Sequence, residues 1–441
     1  MGGPVDEVTP AEGSFTQRTL SSLRSRNFRL FFLGQTVSNS GNWLTMVALT
    51  LLVLDRTGSG TAVGLLAACQ FGPILLFSAF AGVVVDRHDK RRLLSITQVL
   101  EMAQSFVLAA LAFSGDAPLG AFYAVAAVGG LLLAFDNPVR RSFVNEMVPP
   151  EDVPNAVTIY SAMVNISRIV GPAIAGALVV TVGFGWAFLV DAVSYVTVLV
   201  ALAMMRPAEL RRMPVAPRGK GQVRDGLRYV ARVPELWISF AILLVVGTAS
   251  YNFSVTFPLF VHDGLGASDA AYTVVYAAFS AGALLGAVLV ARRRDVTLTT
   301  IAMGAAWLGA TMLVLAFVPG VLAAAVVAAT VGAASVAYMT ATTALAQLRT
   351  EPQMIGRVLA LQTVLLIGTT PIGGPALGAI SDALGGRVPI VIGGVVALVA
   401  SAFGFVAARR TAPAEPMPSS AGAAPPAEAA ALSAGPGGTR R

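Results

Sequence analysis

Three ionisable residues stand inside stretches that are otherwise apolar: Glu101, Arg168 and Asp191. A charge near the centre of a lipid bilayer costs at least about 2.5–3.5 kcal/mol, so each needs a reason. Gln98, Glu101 and Gln104 recur at steps of three, which places them on one helix stripe and predicts a polar face turned inward. Two readings of Glu101 follow. It is a carboxylate that takes up and releases protons, because burial penalises its charged form. Or it is the partner of a buried base such as Arg168, which would keep it ionised. Asp191 lies about one turn from the end of its apolar stretch and reads as a boundary residue. Gln35, Ser38 and Asn42 recur at three and four, so the first apolar stretch also has a polar face, with Asn39 and Trp43 beside it. Tyr251, Asn252 and Phe253 stand at a corresponding half-depth later in the chain. With Trp43 they would give an aromatic, weakly polar pocket suited to an apolar compound, or else simple core packing.

The elements that must position these residues are membrane-spanning helices. Of 441 residues, 56% are hydrophobic and 12% charged, against about 25% charged in soluble domains. The mean hydropathy is +0.74. A water-soluble protein of this size could not cover so much apolar surface. A span needs about 20 apolar residues, and that ruler places spans near 29–54, 61–85, 92–113, 118–136, 157–181, 186–205, 236–260, 271–291, 298–318, 320–342, 357–380 and 388–408. The chain is thus expected to be an all-α polytopic membrane protein of twelve transmembrane helices. Cys69 is the single cysteine, so an internal disulfide and a cysteine-based metal cluster are excluded. Neither a metal site nor a cofactor is expected.

The net charge of +7 is distributed as a topology signal and not as a nucleic-acid footprint. Apart from Arg56, Arg387 and Arg168, every Lys and Arg falls at the terminal segments or in loops on the same side as the termini. Both termini are therefore expected in the cytoplasm. The N-terminal stretch carries acids and no apolar run, so the first span is expected to act as its own insertion signal. The divisions expected are a segment 1–27, a six-helix bundle 28–205, a basic linker 206–235, a second bundle 236–408 and a disordered Ala/Pro/Gly/Ser tail 409–441.

Two features recur along the chain. Gly82 and Gly286 are 204 positions apart at the ends of the second and eighth spans. Gly171-Pro172-Ala173 and Gly374-Pro375-Ala376 are 203 positions apart, in the fifth and eleventh. The chain reads as two parallel six-helix repeats, an architecture that places a substrate site between the halves near the midplane.

The stretch Gly82-Val83-Val84-Val85-Asp86-Arg87-His88-Asp89-Lys90-Arg91-Arg92 resembles the signature loop of the major facilitator superfamily, with Asp89 where that pattern has glycine. Asp86 at the membrane edge could cap the N-terminus of the eleventh span, near Gly356, with Arg87, Lys90 and Arg91 beside it, as a latch on the cytoplasmic gate. The alternative is that the basic residues only set topology. The run from Ala134 to Pro149, continued through Asn155 to Pro172, resembles the enterobactin-exporter-like, drug-efflux branch, and the likeness covers roughly residues 25–408. It implies a charge network among Asp136, Arg140 and the Asp86–Arg87 loop; the plainer reading is interfacial caps. Arg168, Gly171, Pro172 and Gly176 resemble the antiporter motif of proton-driven exporters, with Ser167 and Ala175 departing from it. The plainer reading there is close helix packing. Many related exporters have an acid where this chain has Asn42.

The function expected is proton-coupled efflux of a small, partly apolar compound by alternating access, in a bacterial plasma membrane, by a monomer that binds no nucleic acid. The alternatives are a uniporter or importer on the same fold, or a membrane enzyme or sensor. No catalytic constellation and no phosphate-cradling Gly-Lys-Ser/Thr loop favours an enzyme or an ATP-driven pump.

Overall fold

The computed structural model describes residues 21–211, 222–291 and 295–410; the side chains at 79, 83, 86, 222, 223 and 287–291 lie outside the described residues. So do the tail after Arg410 expected to be disordered, Arg292-Arg293-Arg294 and the middle of the basic linker.

Six long helices form the first half: α1 (Arg26–Thr57), α2 (Gly60–Arg87), α3 (Lys90–Ser114), α4 (Leu119–Val144), α5 (Val153–Thr181) and α6 (Phe184–Met204). The linker contains a helix that composition did not announce, α7 (Gln222–Arg232). The second half is α8 (Pro234–Ser250), α9 (Phe253–Leu259), α10 (Asp269–Ala291), α11 (Leu298–Ala316), α12 (Val321–Leu348), α13 (Ile355–Gly368), α14 (Thr370–Leu384) and α15 (Val388–Arg410). Among the described residues eleven helical segments are long and apolar enough to cross a membrane, α8–α9 and α13–α14 each counting as one. With α10, 23 residues long, they make the twelve expected.

Local chemistry fixes the helix ends. Asp89 caps α3, its Oδ1 accepting from Arg92 N at 3.0 Å, so the residue that departs from the superfamily pattern acts as an N-cap. Gly183 and Gly385 follow α5 and α14 with φ of 91° and 94°, a left-handed conformation that glycine adopts without strain. They are corresponding positions of the two halves. Two expected spans are interrupted. The seventh breaks at Tyr251-Asn252 and the eleventh at Thr369.

The halves pack by the same plan. In the first, α1 lies on α5 and α6, α2 on α4, and α3 on α4 and α6; in the second, α10 lies on α12 and α11 on α12 and α15. Between halves, α2 meets α14 and α5 meets α10, the reciprocal pairing required of two copies related by a twofold axis. These contacts are made by glycine. A Cβ on Gly64 would fall 2.4 Å from Gly374 O, and one on Gly378 would fall 2.1 Å from Gly60 O. One on Gly176 would strike Thr273 Oγ1 at 2.1 Å. Small residues permit such backbone approach between helices in lipid.

All these contacts lie toward the end of the bundle away from the chain termini, the far end. There Asp382, in the last turn of α14, accepts four hydrogen bonds from the start of α2. Its Oδ1 takes Gly60 N at 2.5 Å, and its Oδ2 takes Thr61 N at 2.9 Å, Thr61 Oγ1 at 2.6 Å and Ser59 Oγ at 2.9 Å. A carboxylate at a helix N-terminus is favoured by the unpaired amides and the helix dipole. Replacing Gly64 by Val should lower the unfolding free energy of the detergent-solubilised protein by about 1–3 kcal/mol, because the added atoms meet backbone that cannot yield. A thermal midpoint equal to that of the wild type would refute the contact.

Candidate functional site

The helical register of α3 and α4 brings one cation against two acids in the interior of the first half. Arg140 Nη2 lies 3.3 Å from Glu101 Oε2, and its Nε pairs with Asp136 four residues earlier on the same helix. Asp136 Oδ1 also accepts from Thr97 Oγ1 at 2.8 Å and from Gln98 Nε2 at 3.0 Å. Gln98 Nε2 is 2.9 Å from Glu101 Oε2 as well. Glu101, Asp136 and Arg140 are 1%, 0% and 3% exposed. The inward polar stripe expected on this helix is thus realised by Gln98 and Glu101, and Gln104 lines the adjoining cavity.

Three expectations about these residues are corrected. Glu101 is paired with a base, but the base is Arg140 and not Arg168. Asp136 and Arg140 are not interfacial caps at a membrane edge, because α4 runs on to Val144 and places Asp136 eight residues inside it, about 12 Å along the axis. Their described partners are interior residues, and not the Arg87 loop; Arg87 is exposed, while Lys90 pairs with Glu146, and Arg91 donates to Leu202 O at 2.9 Å and 2.7 Å. The Asp86 side chain lies outside the described residues. Gly82 is half-buried near the end of α2.

Asp191 is likewise no boundary residue. It lies seven positions into α6 and is 1% exposed. Its Oδ2 accepts from Thr45 Oγ1 of α1 and Ser105 Oγ of α3, both at 2.7 Å. Gly41 makes room for it: a Cβ there would lie 2.4 Å from Asp191 Oδ1. The sequence signal for this site was the glycine in the polar face of the first span.

Glu101, Arg140 and Asp191 open onto a cavity of about 250 Å³. Asn39, Asn42, Trp43, Thr45 and Met46 of α1 line it, with Gln70, Phe71 and Ile74 of α2 and Glu101, Gln104 and Ser105 of α3. Asn137, Arg140, Val164, Asp191 and Tyr195 come from the remaining helices of the first half, and Ile367 comes from α13 of the second. Asn42 Nδ2 reaches Tyr195 Oη at 3.4 Å. Gln35 does not line the cavity. It lies on the same stripe two turns nearer the terminus, where α1 is packed, and is fully buried. Asn252 does not line it either. Its Nδ2 donates to Thr248 O at 2.7 Å and its carbonyl accepts from Val255 N and Thr256 N, so it satisfies the backbone where the seventh span breaks. Irregular backbone at membrane depth needs such internal partners. Tyr251 and Phe253 join an aromatic cluster with Tyr338, Phe257 and Phe279 inside the second half, apart from Trp43.

The residues resembling an antiporter motif divide between two contacts. Gly171 faces α1, where a Cβ would meet Trp43 Cβ at 2.5 Å and Ser40 O at 2.6 Å, whereas Gly176 faces Thr273 of the other half. Pro172 is buried within α5. The Arg168 guanidinium stacks on the Trp43 ring at 5.2 Å and neighbours Tyr276 of α10, so it bridges the halves through rings and makes no described ion pair with an acid.

Two six-helix halves joined through the second and fifth helices of each, with a polar cavity lined mainly by the first, define a major facilitator transporter. The sequence model of the transmembrane secretion effector family, a branch of that superfamily, matches residues 17–437, and the chain belongs to this family. The staphyloferrin A transporter of Staphylococcus aureus is 31% identical over 178 residues, a match covering 40% of this chain and 45% of that one. The multidrug efflux pump Tap of Mycolicibacterium fortuitum is 29% identical over 401 residues, covering 84% and 94%. Macrolide efflux protein A of Streptococcus pyogenes is 24% identical over 357 residues, covering 78% and 87%. Among solved structures, a bacterial homologue of the human lysosomal transporter Spinster, inward-facing and unoccupied, aligns with a TM-score of 0.69 at 18% identity, covering 91% and 100%. A POT family transporter in complex with 5-aminolevulinic acid aligns with a TM-score of 0.72 at 12% identity, covering 88% and 96%. These two likenesses concern the fold.

Arg140 holds the cluster together. Arg140→Met strands Asp136 and Glu101 without their cation, which should cost about 3–5 kcal/mol of stability. Adding Asp136→Asn and Glu101→Gln should recover most of it in chemical denaturation of the solubilised protein. An Arg140→Met protein as stable as the wild type would show that the ion pairs do not form.

Proposed function

We propose that this transporter is a proton-coupled exporter of small, partly apolar compounds, working by alternating access as a monomer in a bacterial inner membrane with both termini cytoplasmic. The observation that carries the reading is the cavity itself. It joins a carboxylate-bearing polar wall, with Glu101 and Asp191, to an apolar wall of Met46, Phe71, Ile74 and Ile367. Such a cavity offers titratable groups and a surface for an apolar compound together. The efflux relatives support the direction of transport. The concentration of Lys and Arg on the side of the termini supports the orientation.

The position of the contacts supports alternating access. Asp382 ties the halves together by hydrogen bonds at the far end, and among the described residues no atom of another element lies within 4 Å of where a Cβ on Gly356 would sit at the start of the eleventh span. In this reading the cavity is open to the cytoplasm. Asp86, at the other end of α2, would then cap the eleventh span when the cytoplasmic side closes, as Asp382 caps α2 when the far end closes. The two carboxylates would be alternative latches at opposite ends of one helix.

In everted membrane vesicles, a substrate drug should accumulate on acidification of the lumen, and an uncoupler should abolish at least nine-tenths of that accumulation (about tenfold). Uptake indifferent to the uncoupler would instead support the uniport reading. Asp86→Asn should insert normally and lower flux severalfold; wild-type flux from the inserted variant would end the latch proposal.

A further inference from the structure

The outer surface of the first half has a groove of about 460 Å³ between α1 and α6. The two helices touch at its floor, where a Cβ on Gly34 would fall 3.0 Å from Thr197 O and 3.1 Å from Ala201 Cβ. Leu30, Leu33 and Val37 form one wall, and Val196, Val200 and Met204 form the other. Leu33, Val37, Val196, Val200 and Met204 are exposed, which in a membrane-spanning bundle means exposed to lipid. The floor offers no donor, because the Thr197 hydroxyl is taken up by Gly34 O at 3.1 Å and Ser194 O at 2.7 Å. Along its length the groove accepts only an apolar chain.

Its mouth is different. α1 begins at Arg26 and α6 ends at Met204, so the groove opens where both helices leave the membrane on the side of the termini. From Leu30 to Val37 it runs about 10 Å along α1, against about 15 Å for the hydrocarbon of one leaflet. Arg26 lies one turn before Leu30 on the groove stripe, and Arg29 one turn before Leu33. Arg26 is half-buried and Arg29 exposed, and among the described residues neither pairs with an acid. Arg206 closes the other side. Asn27 clamps its backbone by two hydrogen bonds of 3.0 Å, and its guanidinium is engaged by Glu209 at 3.0 Å. The nearby acid is thus already taken, and two guanidinium charges at the mouth are left unmatched.

A ligand matching both parts has a long apolar chain and an anionic head about one turn beyond its end. A second copy of the protein does not match. Both copies would have the same orientation in the membrane, and a symmetric pair would set one arginine mouth against the other. We propose that the groove binds one anionic phospholipid, with an acyl chain along Leu33, Val37 and Val200 and the phosphate held by Arg26 and Arg29. Guanidinium groups suit a phosphate through paired, charge-assisted hydrogen bonds. The lipid comes from the leaflet on the side of the termini, which the orientation proposed above makes the cytoplasmic one. The site shares no lining residue with the polar cavity and is independent of the direction and coupling of transport.

The test uses the full-length protein in detergent micelles, where no leaflet exists, so its result does not hang on the orientation. Phosphatidylglycerol and phosphatidylcholine carrying the same diazirine-labelled acyl chain are photo-crosslinked to it, and the labelled peptides are read by mass spectrometry. Phosphatidylglycerol should label residues 30–37 and 196–204 at least about fivefold more than phosphatidylcholine, roughly the factor that one basic residue contributes at an anionic headgroup. Arg26→Gln combined with Arg29→Gln should bring the two probes level, and the corresponding pair of Lys substitutions should keep the preference. Val200→Trp, which fills the groove, should lower labelling of both segments severalfold. Labelling at the exposed Val314 and Phe317 of the other half should match the wild type in every variant, showing an intact fold. Equal labelling of the groove by the two probes in the wild type would overturn the proposal. So would a phosphatidylglycerol preference that survives loss of both arginines, or undiminished labelling in Val200→Trp. Displacement of the lipid by a transported drug would also overturn it, making the groove a lateral entrance for substrate.

Discussion

The interior of the first half depends on one guanidinium. Arg140 reaches Asp136 on its own helix and Glu101 on α3, and through Gln98 it organises the whole polar stripe of α3. In an environment where a lone charge is costly, an arginine that serves two acids fixes the relative rotation of α3 and α4, because a different register would leave one of them stranded. Asp191 is set by neutral hydroxyls instead. The same pocket therefore contains acids held by a cation and a separate acid held by hydroxyls.

The second half is organised differently. Its interior has rings where the first has charges, with Tyr251, Phe253, Phe257, Phe279 and Tyr338 in mutual contact. The described polar cavity draws nearly all its lining from the first half, with Ile367 the contribution of the second. Duplication gave the halves a common helical plan, yet the titratable chemistry is concentrated in one of them. The second half contributes two broken spans, at Asn252 and Thr369, that lie beside each other where Gly373 packs against Thr248 and Asn252.

Much of this was legible in the sequence, for physical reasons. Apolar runs of bilayer length identify helices because lipid leaves the backbone no other partner, and the Gly82/Gly286 and Gly171/Gly374 recurrences announced the repeat. Glu101 stood out by depth alone. Arg140 was misplaced because hydropathy ends a span at the first polar residue, whereas α4 continues as a polar helix to Val144; Asp191 was misplaced because its depth along the helix says nothing of the side of α6 that is packed. Asn252 looked like a cavity residue because nothing in Tyr-Asn-Phe marks a break. Asp382 was passed over, although it is an acid at the end of α14, where it faces the start of α2. Helix α7 was masked by its own charge, since a basic linker reads as loop. Side-chain partners across helices are set by rotation about each axis, and a hydropathy profile contains no such angle.

The glycine seam between α2 and α14 has one more consequence. Where Gly60, Gly64, Gly374 and Gly378 meet, backbone lies on backbone. Surfaces so smooth can roll past one another without any rotamer having to be withdrawn, as knobs would have to be from holes. Along this seam the polar resistance to parting lies in the hydrogen bonds of Asp382, each of which water can replace. A bearing of this kind turns through a large angle under a small torque.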